Sequence, residues 1–457
     1  MKQFIFPLND RTSKYKQIYE NVRQLIENGK LKTDEQLPSI RQLAETLQVS
    51  RNTTLVAYEQ LIAEGYIRSE SKRGYFVESY EPIHIQAQKV ESRGNLERER
   101  YIIDFRAGAV DKASFPLKKW RKCANDVLYD SLSFTYGERQ GDSYLREQIA
   151  SYLMQSRGIV TSSDAIIIGS STQQLLMHVS LLLRKQFSSI ILENPGYGGA
   201  RTVFELQGYD IESIDVGDKG IKMEQLEILQ SKLIYVTPSH QYPTGATIPI
   251  QERQKLLRWA NLNEGYIFED DYDSEFRYKQ NPIPALASLR QDCVIYVSTF
   301  SKAFLPSLRL SYMVLPEKLL KEYQAKFASF EQNASSLHQR TMANFIEKGY
   351  WESHIRKMRA VYRQKMQMLV GELESRFGEH IKIIGQHSGL YILICIQTAF
   401  SEAELIQKAK NHGVKVYPTS VYYISRKPDE VMIKLGFSNC SIEHIQQGVR
   451  LLYEAWK

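Results

Sequence analysis

The chain has 457 residues, 43% hydrophobic and 24% charged, with a formal net charge of +7. These fractions exclude a disordered chain, a collagen and a small disulfide-stapled scaffold, and the length predicts roughly two to four domains with a substantial buried core. Cys123, Cys293, Cys395 and Cys440 are scattered without a C-x-x-C pair or zinc-like spacing, which predicts a reducing cytoplasm and no structural metal.

The opening Met1-Lys2-Gln3-Phe4-Ile5-Phe6-Pro7 is too short an apolar stretch for a signal peptide, and no later run approaches the ~18 apolar residues of a membrane span. A soluble, intracellular chain without a membrane partner is the expectation. Tyr15, Ile18, Val22, Leu25 and Ile26 repeat at helical spacing until Asn28-Gly29 stops them. Ser39 opens a second helix as N-cap with Gln42 in the capping-box position, burying Ile40, Leu43, Ala44 and Leu47. Ser50 caps a third, with Leu55, Tyr58, Leu61 and Ile62 inward until Gly65. Tyr66-Ile67-Arg68 and Tyr75-Phe76-Val77 then read as two short strands joined through Ser71-Lys72-Arg73-Gly74. Three helices and a hairpin make a small winged helix-turn-helix.

Residues 1–80 hold 12 Lys and Arg against 10 Asp and Glu, so a nucleic-acid site has to be argued from placement. A recognition helix presents short polar and cationic side chains from its first turn, because that end enters the major groove. Ser50-Arg51-Asn52-Thr53-Thr54 supplies them. Arg51 suits guanine, Asn52 adenine or phosphate, and the two threonines phosphate or a thymine methyl. Arg41 belongs to the exposed face of the preceding helix, and Lys72 and Arg73 to the hairpin tip, where a wing meets backbone or minor groove. The bland alternative is a capped helix with solvated charges in a protein-interaction module. Through LPSIRQLAETLQVSRNTTLVAYEQLIAEGYIRSESKRGYFV the segment Tyr15 to Val77 closely resembles the GntR-type winged-helix domain. That resemblance implies DNA contacts at Arg41, Arg51, Thr53, Thr54, Arg73 and Gly74, and a double-stranded operator with repeated half-sites.

Glu81 to Arg100 is polar, charge-mixed and without an apolar period, which predicts a linker over 81–103 between a DNA-binding domain at 1–80 and a second domain at 104–457. Beyond it, Ala165-Ile166-Ile167-Ile168, Ile190-Ile191-Leu192, Leu233-Ile234-Tyr235-Val236, Tyr266-Ile267-Phe268 and Val294-Ile295-Tyr296-Val297 alternate with helical stretches. An α/β fold with a mostly parallel sheet follows, its ligands at the carboxyl ends of strands.

Three polar motifs follow those strands. Gly169-Ser170-Ser171-Thr172 precedes an apolar helix, so its free N–H groups and the helix dipole suit a phosphate, and ordinary capping accounts for it equally. Glu269-Asp270-Asp271-Tyr272-Asp273-Ser274-Glu275 gathers acids at a strand end, where magnesium is a rival reading. Ser298-Thr299-Phe300-Ser301-Lys302, with Arg309 beyond, places a lysine among hydroxyls after a buried strand. A desolvated amine there can form a Schiff base.

Together these segments, with Tyr136-Gly137, Asn194-Pro195-Gly196-Tyr197 and Pro243-Thr244-Gly245, resemble a fold type I aminotransferase, which binds pyridoxal 5′-phosphate (PLP). The resemblance implies that Lys302 carries the cofactor, that Asp270 keeps the pyridine nitrogen protonated, with Asp271 as competitor, and that Tyr272 bonds the ring hydroxyl. It further implies that Tyr197 stacks on the ring and that Ser171, Thr172, Thr299 and Arg309 hold the phosphate. No metal belongs to such a site. A GntR-type winged helix joined to such a domain is the arrangement of the MocR-type, GabR-like regulators, which the whole chain resembles. A homodimer that senses PLP, or an amino compound condensing with it, is implied.

Two departures bear on activity. Tyr242 stands where aminotransferases have an asparagine before Pro-Thr-Gly, so His240 or Gln241 is expected to take over its ring-hydroxyl contact. Lys434, in Ile433-Lys434-Leu435-Gly436-Phe437, replaces the arginine that grips the substrate carboxylate, with Arg426 as a substitute. A lysine is a point charge without the two-pronged fork, so sustained transamination is not expected, although a half-reaction is compatible. The alternative is a working aminotransferase with an accessory DNA-binding domain.

Overall fold

The computed structural model describes residues 2–9, 12–80, 101–129, 135–278, 283–425 and 430–457. Residues 81–100 of the expected linker, and Arg426, lie outside the described residues. The chain divides into two compact units, Met1–Arg98 and Glu99–Lys457.

The first unit runs α1 (Lys14–Glu27), β1 (Gln36–Leu37), α2 (Ile40–Leu47), α3 (Arg51–Ala63), β2 (Ile67–Glu70) and β3 (Gly74–Val77). The strands form an antiparallel sheet in the order β1-β3-β2. Ser39 and Gln42 satisfy each other's backbone N–H in a capping box at the start of α2, an arrangement worth about 1 kcal/mol. Gln48 then turns left-handed, φ 52°, and swings the chain into Ser50, the cap of α3. Ile18, Val22, Ile26, Leu43, Tyr58 and Leu61 share one core. Two expected core residues are on the surface: Tyr15 and Ile62 are each 37% exposed. The buried stripe of α3 is Thr54, Ala57, Tyr58 and Leu61. Those positions follow i, i+3, i+4, i+7, and the stripe was misplaced because it begins on a threonine.

In the second unit a short β4 (Ile103–Asp104) precedes eight strands: β5 (Ile166–Gly169), β6 (Ser189–Asn194), β7 (Asp210–Gly217), β8 (Gly220–Ile221), β9 (Leu233–Val236), β10 (Tyr266–Asp270), β11 (Val294–Thr299) and β12 (Ser311–Val314). Their order is β5-β12-β11-β10-β9-β6-β7-β8. The pairs from β11 through β7 are parallel, while β12 and β8 run antiparallel to their neighbours. Ile191, Ile234 and Ile267 face one apolar core, and Leu192, Tyr235 and Phe268 the other. Both faces are covered, which is why these strands read as unbroken apolar runs rather than alternating ones. Parallel strands also share one carboxyl edge, so Asn194, Val236, Asp270 and Thr299 leave the sheet on the same side.

The remaining strands are β13 (Ile381–Ile384), β14 (Tyr391–Ile396), β15 (Val414–Lys415), β16 (Tyr417–Pro418) and β17 (Val431–Gly436). A smaller antiparallel sheet takes the order β13-β14-β17-β16, and β15 pairs with β4. Among the described residues no helix is long and apolar enough to cross a membrane.

Candidate functional site

A cavity opens at the carboxyl edge of β10 and β11, and its wall holds Thr172, Tyr197, Asp270, Tyr272, Thr299 and Lys302. Lys302 sits on the short helix Phe300–Ala303 that follows β11. Burial lowers its amine from the ordinary lysine range, against the opposing pull of Asp273 and Asp270. A lowered amine is the form that attacks carbonyl carbon. Gly108, which sequence reasoning missed, lies against that amine at φ +90°, where an added Cβ would come within 2.4 Å of Lys302 Nζ. That φ disfavours any residue with a side chain, and nothing in the local sequence pairs this glycine with a lysine nearly two hundred positions later.

The acid run separates on folding. Asp270 is buried; its Oδ2 accepts from the Tyr235 hydroxyl, and its Oδ1 has no partner. Burial pushes this carboxyl up to about 7, with Asp271 and Asp273 adding to the rise and the Tyr235 bond opposing it. Asp271 faces away: Arg157 lies 2.7 Å from its carboxylate, and the hydroxyls of Tyr296 and Ser274 donate to it at 2.7 and 2.9 Å. Its oxygens are thus occupied, so of the two competitors only Asp270 offers the cavity a free one. Glu269 accepts from the N–H groups of Leu286 and Ala287, and Glu275 from Tyr152. Among the described residues no group of three or more metal-ligand side chains converges.

On the opposite wall the helix Thr172–Leu183 begins, capped by Ser171 Oγ, which accepts from the Gln174 N–H at 3.2 Å. Thr172, the residue after Ser171, is on the wall. Thr299 Oγ1 accepts from Ser301 N–H at 3.1 Å and from Ser311 at 2.9 Å. Arg309 is exposed in the left-handed region, φ 54°, and is not on the wall. Burial and Asp270 push the Tyr197 phenol up to about 12, with Arg309 pulling the other way.

His240 does not reach the wall either. Its ring is buried behind Tyr272, with Nδ1 3.0 Å from the Tyr272 hydroxyl and 2.9 Å from both Asp273 oxygens. Gln241 is spent on the loop, donating to Glu193 and to the Pro195 and Tyr242 carbonyls. Lys434 is 4% exposed and donates to the hydroxyls of Tyr242 and Tyr422, with Tyr391 completing an aromatic cage. Burial, with Lys302 nearby, brings its amine down to about 7. Tyr242, Tyr391, Asp273 and Gly108 are wall residues the motifs did not flag as binding positions. The cavity thus offers an amine for a carbonyl carbon, a bare carboxylate oxygen for an N–H donor, and a helix N-terminus for an anion.

On the first unit, Arg51 and Asn52 are exposed on the first turn of α3. Ser50 caps it, its Oγ accepting from Thr53 N–H at 3.1 Å and lying 2.8 Å from the Thr53 hydroxyl. Thr54 corrects the expectation: it is 0% exposed, so its side chain faces the core and not a duplex. Its buried Oγ1 has no partner, and an unpaired buried hydroxyl costs roughly 1–3 kcal/mol. Thr54→Val should therefore raise the melting temperature by a few degrees while leaving DNA affinity unchanged; a loss of affinity would return the residue to the contact surface. Arg41 pairs with Glu45 at 3.0 Å, and Arg73 with Glu70. Lys72 and Gly74 turn the hairpin tip at φ 62° and 114°.

Residues 100–452 match the family of aminotransferase class I and II, and residues 14–77 match the bacterial regulatory proteins of the gntR family. The chain is 40% identical to the uncharacterized HTH-type transcriptional regulator YdeL of Bacillus subtilis (strain 168), over 97% of this chain and 96% of that one. It is 30% identical to the probable rhizopine catabolism regulatory protein MocR of Rhizobium meliloti, over 97% and 93%. Among solved structures, the kynurenine aminotransferase of Pyrococcus horikoshii, in complex with PMP, matches at TM-score 0.70 and 25% identity, covering 79% of this chain and 91% of that one.

Proposed function

From the premise that this chain belongs to the aminotransferase class I and II family and, with its gntR-type segment, is a transcription regulator of MocR-type architecture, we propose that it binds PLP in the cavity beside Lys302 and couples the state of that cavity to operator binding. The observation that carries this reading is the bare, buried Oδ1 of Asp270 on the wall that Lys302 shares. A buried carboxylate without a partner is costly, and the N–H of a pyridinium ring would remove that cost. When bound, PLP supplies an aldehyde for amines and an electron-withdrawing ring.

The residues divide the work. Lys302 presents a desolvated amine, held against Gly108. With PLP bound, Asp270 would keep a proton at the ring nitrogen, Tyr272 would hydrogen-bond the ring oxygen, and Tyr197 would cover the ring. Thr172, Ser171 and Thr299 offer hydroxyls and helix N–H groups to the phosphate, and Arg309 adds charge. Lys434 is committed to two phenols, so even when protonated it would meet a ligand acid as a single point charge rather than a fork. This favours recognition of an amino compound over repeated turnover.

On DNA, Arg51, Asn52 and Thr53 read the major groove, with Ser50 holding the helix start, while Arg41, Lys72, Arg73 and the Gly74 backbone meet phosphates. Two copies, acting in the cytoplasm as a homodimer, place paired winged helices on repeated half-sites. The test is titration of operator fragments, selected from random duplexes by the PLP-loaded protein, with and without candidate amines. Arg51→Ala should weaken specific binding about 5- to 150-fold, as expected for loss of ~1–3 kcal/mol from one bidentate base contact, and leave non-specific binding nearly intact. Equal specific affinity in the variant, or operator affinity that ignores both PLP and every amine, would count against the reading.

A further inference from the structure

We propose that His240 and Asp273 form a positioning pair, outside the cavity wall in the case of the imidazole, that fixes which way the Tyr272 hydroxyl donates. The inference rests on the reading of the cavity as a PLP site and assigns the pair a role in tuning it. Asp273 presents both carboxylate oxygens to a single ring nitrogen, Nδ1, at 2.9 Å each. A carboxylate facing one nitrogen from two sides requires a proton on it. The other tautomer would set the Nδ1 lone pair against Asp273 and bury an Nε2–H, and Nε2 has no partner. The proton therefore belongs on Nδ1.

The consequence falls on Tyr272, whose oxygen is 3.0 Å from that same nitrogen. With its proton directed at Asp273, Nδ1 has no lone pair free, so the phenol cannot donate to the imidazole. Its own hydrogen is left for Tyr391, 3.3 Å away, or for an acceptor in the cavity. The 3.3 Å contact is long for an O–H···O bond, so an anionic ring oxygen in the cavity is the better acceptor. The His240 ring is closely enclosed. It lies in a slot bounded by two glycines in the left-handed region, where a Cβ at Gly389 would come within 2.1 Å of His240 Cε1 and one at Gly245 within 3.2 Å of Nε2. His240 is 3% and Asp273 2% exposed, so bulk water has little access to these bonds.

A hydrogen bond donated to an ionised ring oxygen stabilises its deprotonated form, so losing the donor raises the pH at which the bound chromophore titrates. The experiment is a spectrophotometric pH titration of the full-length, PLP-loaded protein, beside His240→Gln, His240→Asn, Asp273→Asn and Tyr272→Phe. Borohydride reduction and intact mass on each sample report attachment at Lys302. His240→Asn keeps an N–H donor near the Nδ1 position, and His240→Gln moves it away. The expected result is a midpoint raised by about one pH unit in Tyr272→Phe and His240→Gln, a smaller rise in Asp273→Asn, and a parental midpoint in His240→Asn, with attachment retained in all. Should a variant fail to hold PLP, the remaining three decide. A midpoint that moves in Tyr272→Phe but stays parental in His240→Gln and Asp273→Asn overturns the pair and leaves the cavity assignment standing. No chromophore and no adduct in the parent overturn both.

Discussion

Lys302→Ala is expected to abolish covalent retention of PLP while leaving a folded protein that binds operator DNA non-specifically. In the parent, borohydride reduction of the loaded protein should add one cofactor per chain to the intact mass, and a peptide map should place it at Lys302. In the variant the adduct should vanish, because no other amine shares the wall with Asp270 and Thr172 among the described residues. Folding should survive, since burial works against the Lys302 amine rather than for it. The cavity it would leave also opens onto existing space, so no new void is closed off. Lys434 is the competitor to watch: its amine is brought down to about 7 and it lies behind Tyr242 and Tyr391. An adduct mapped to Lys434 would transfer the role there and sink the assignment of Lys302.

Asp270→Asn should have two effects of opposite sign. Removing one partner of a buried charge pair costs roughly 3–5 kcal/mol, so PLP affinity should fall by about two to four orders of magnitude, measured by equilibrium dialysis or by quenching of intrinsic fluorescence. The empty protein should become more stable. The Asp270 carboxyl sits at about 7 in the fold, mainly from burial, and near 3.9 in an unfolded chain. Between those values the folded state holds the proton and the unfolded state does not, so stability falls as pH rises from about 4 to about 7. The penalty is complete above that range. Empty Asp270→Asn should therefore be more stable than the empty parent at pH 8, by up to about 4 kcal/mol for a carboxyl raised from about 3.9 to about 7, with the difference disappearing near pH 4. Equal melting at pH 8 would mean that the carboxylate finds a partner when empty, and the bare Oδ1 would no longer support a ring nitrogen there.

Much of the chemistry was legible because it is local. The capping of α2 and α3, the exposed Arg51 and Asn52, and the polar residues leaving Asp270 and Thr299 at strand ends all follow from neighbours within a few positions. The errors share a cause as well. A polar Thr54 on the first turn predicts a surface position, and only the packing of α3 against α1 and α2 encloses its hydroxyl. His240 was expected at the ring hydroxyl because of its place beside Tyr242, and the fold puts it one side chain deeper.

The sequence by itself determined the two-part architecture and most element types, and it narrowed the candidate site to one lysine and a short run of acids, since apolar periodicity, caps and strand-end motifs are encoded within short stretches. Which of Asp270 and Asp271 faces the cavity was decided only by tertiary structure. Asp270 is the last residue of β10 and Asp271 the first beyond it, and Arg157 and Tyr296, from distant segments, together with the nearby Ser274, claim Asp271 and leave Asp270 Oδ1 free. The approach of Gly108 to Lys302, the cage around Lys434 and the placing of His240 behind Tyr272 arise in the same way. Each is a contact between distant segments that the sheet brings to one edge, and no spacing along the chain records it.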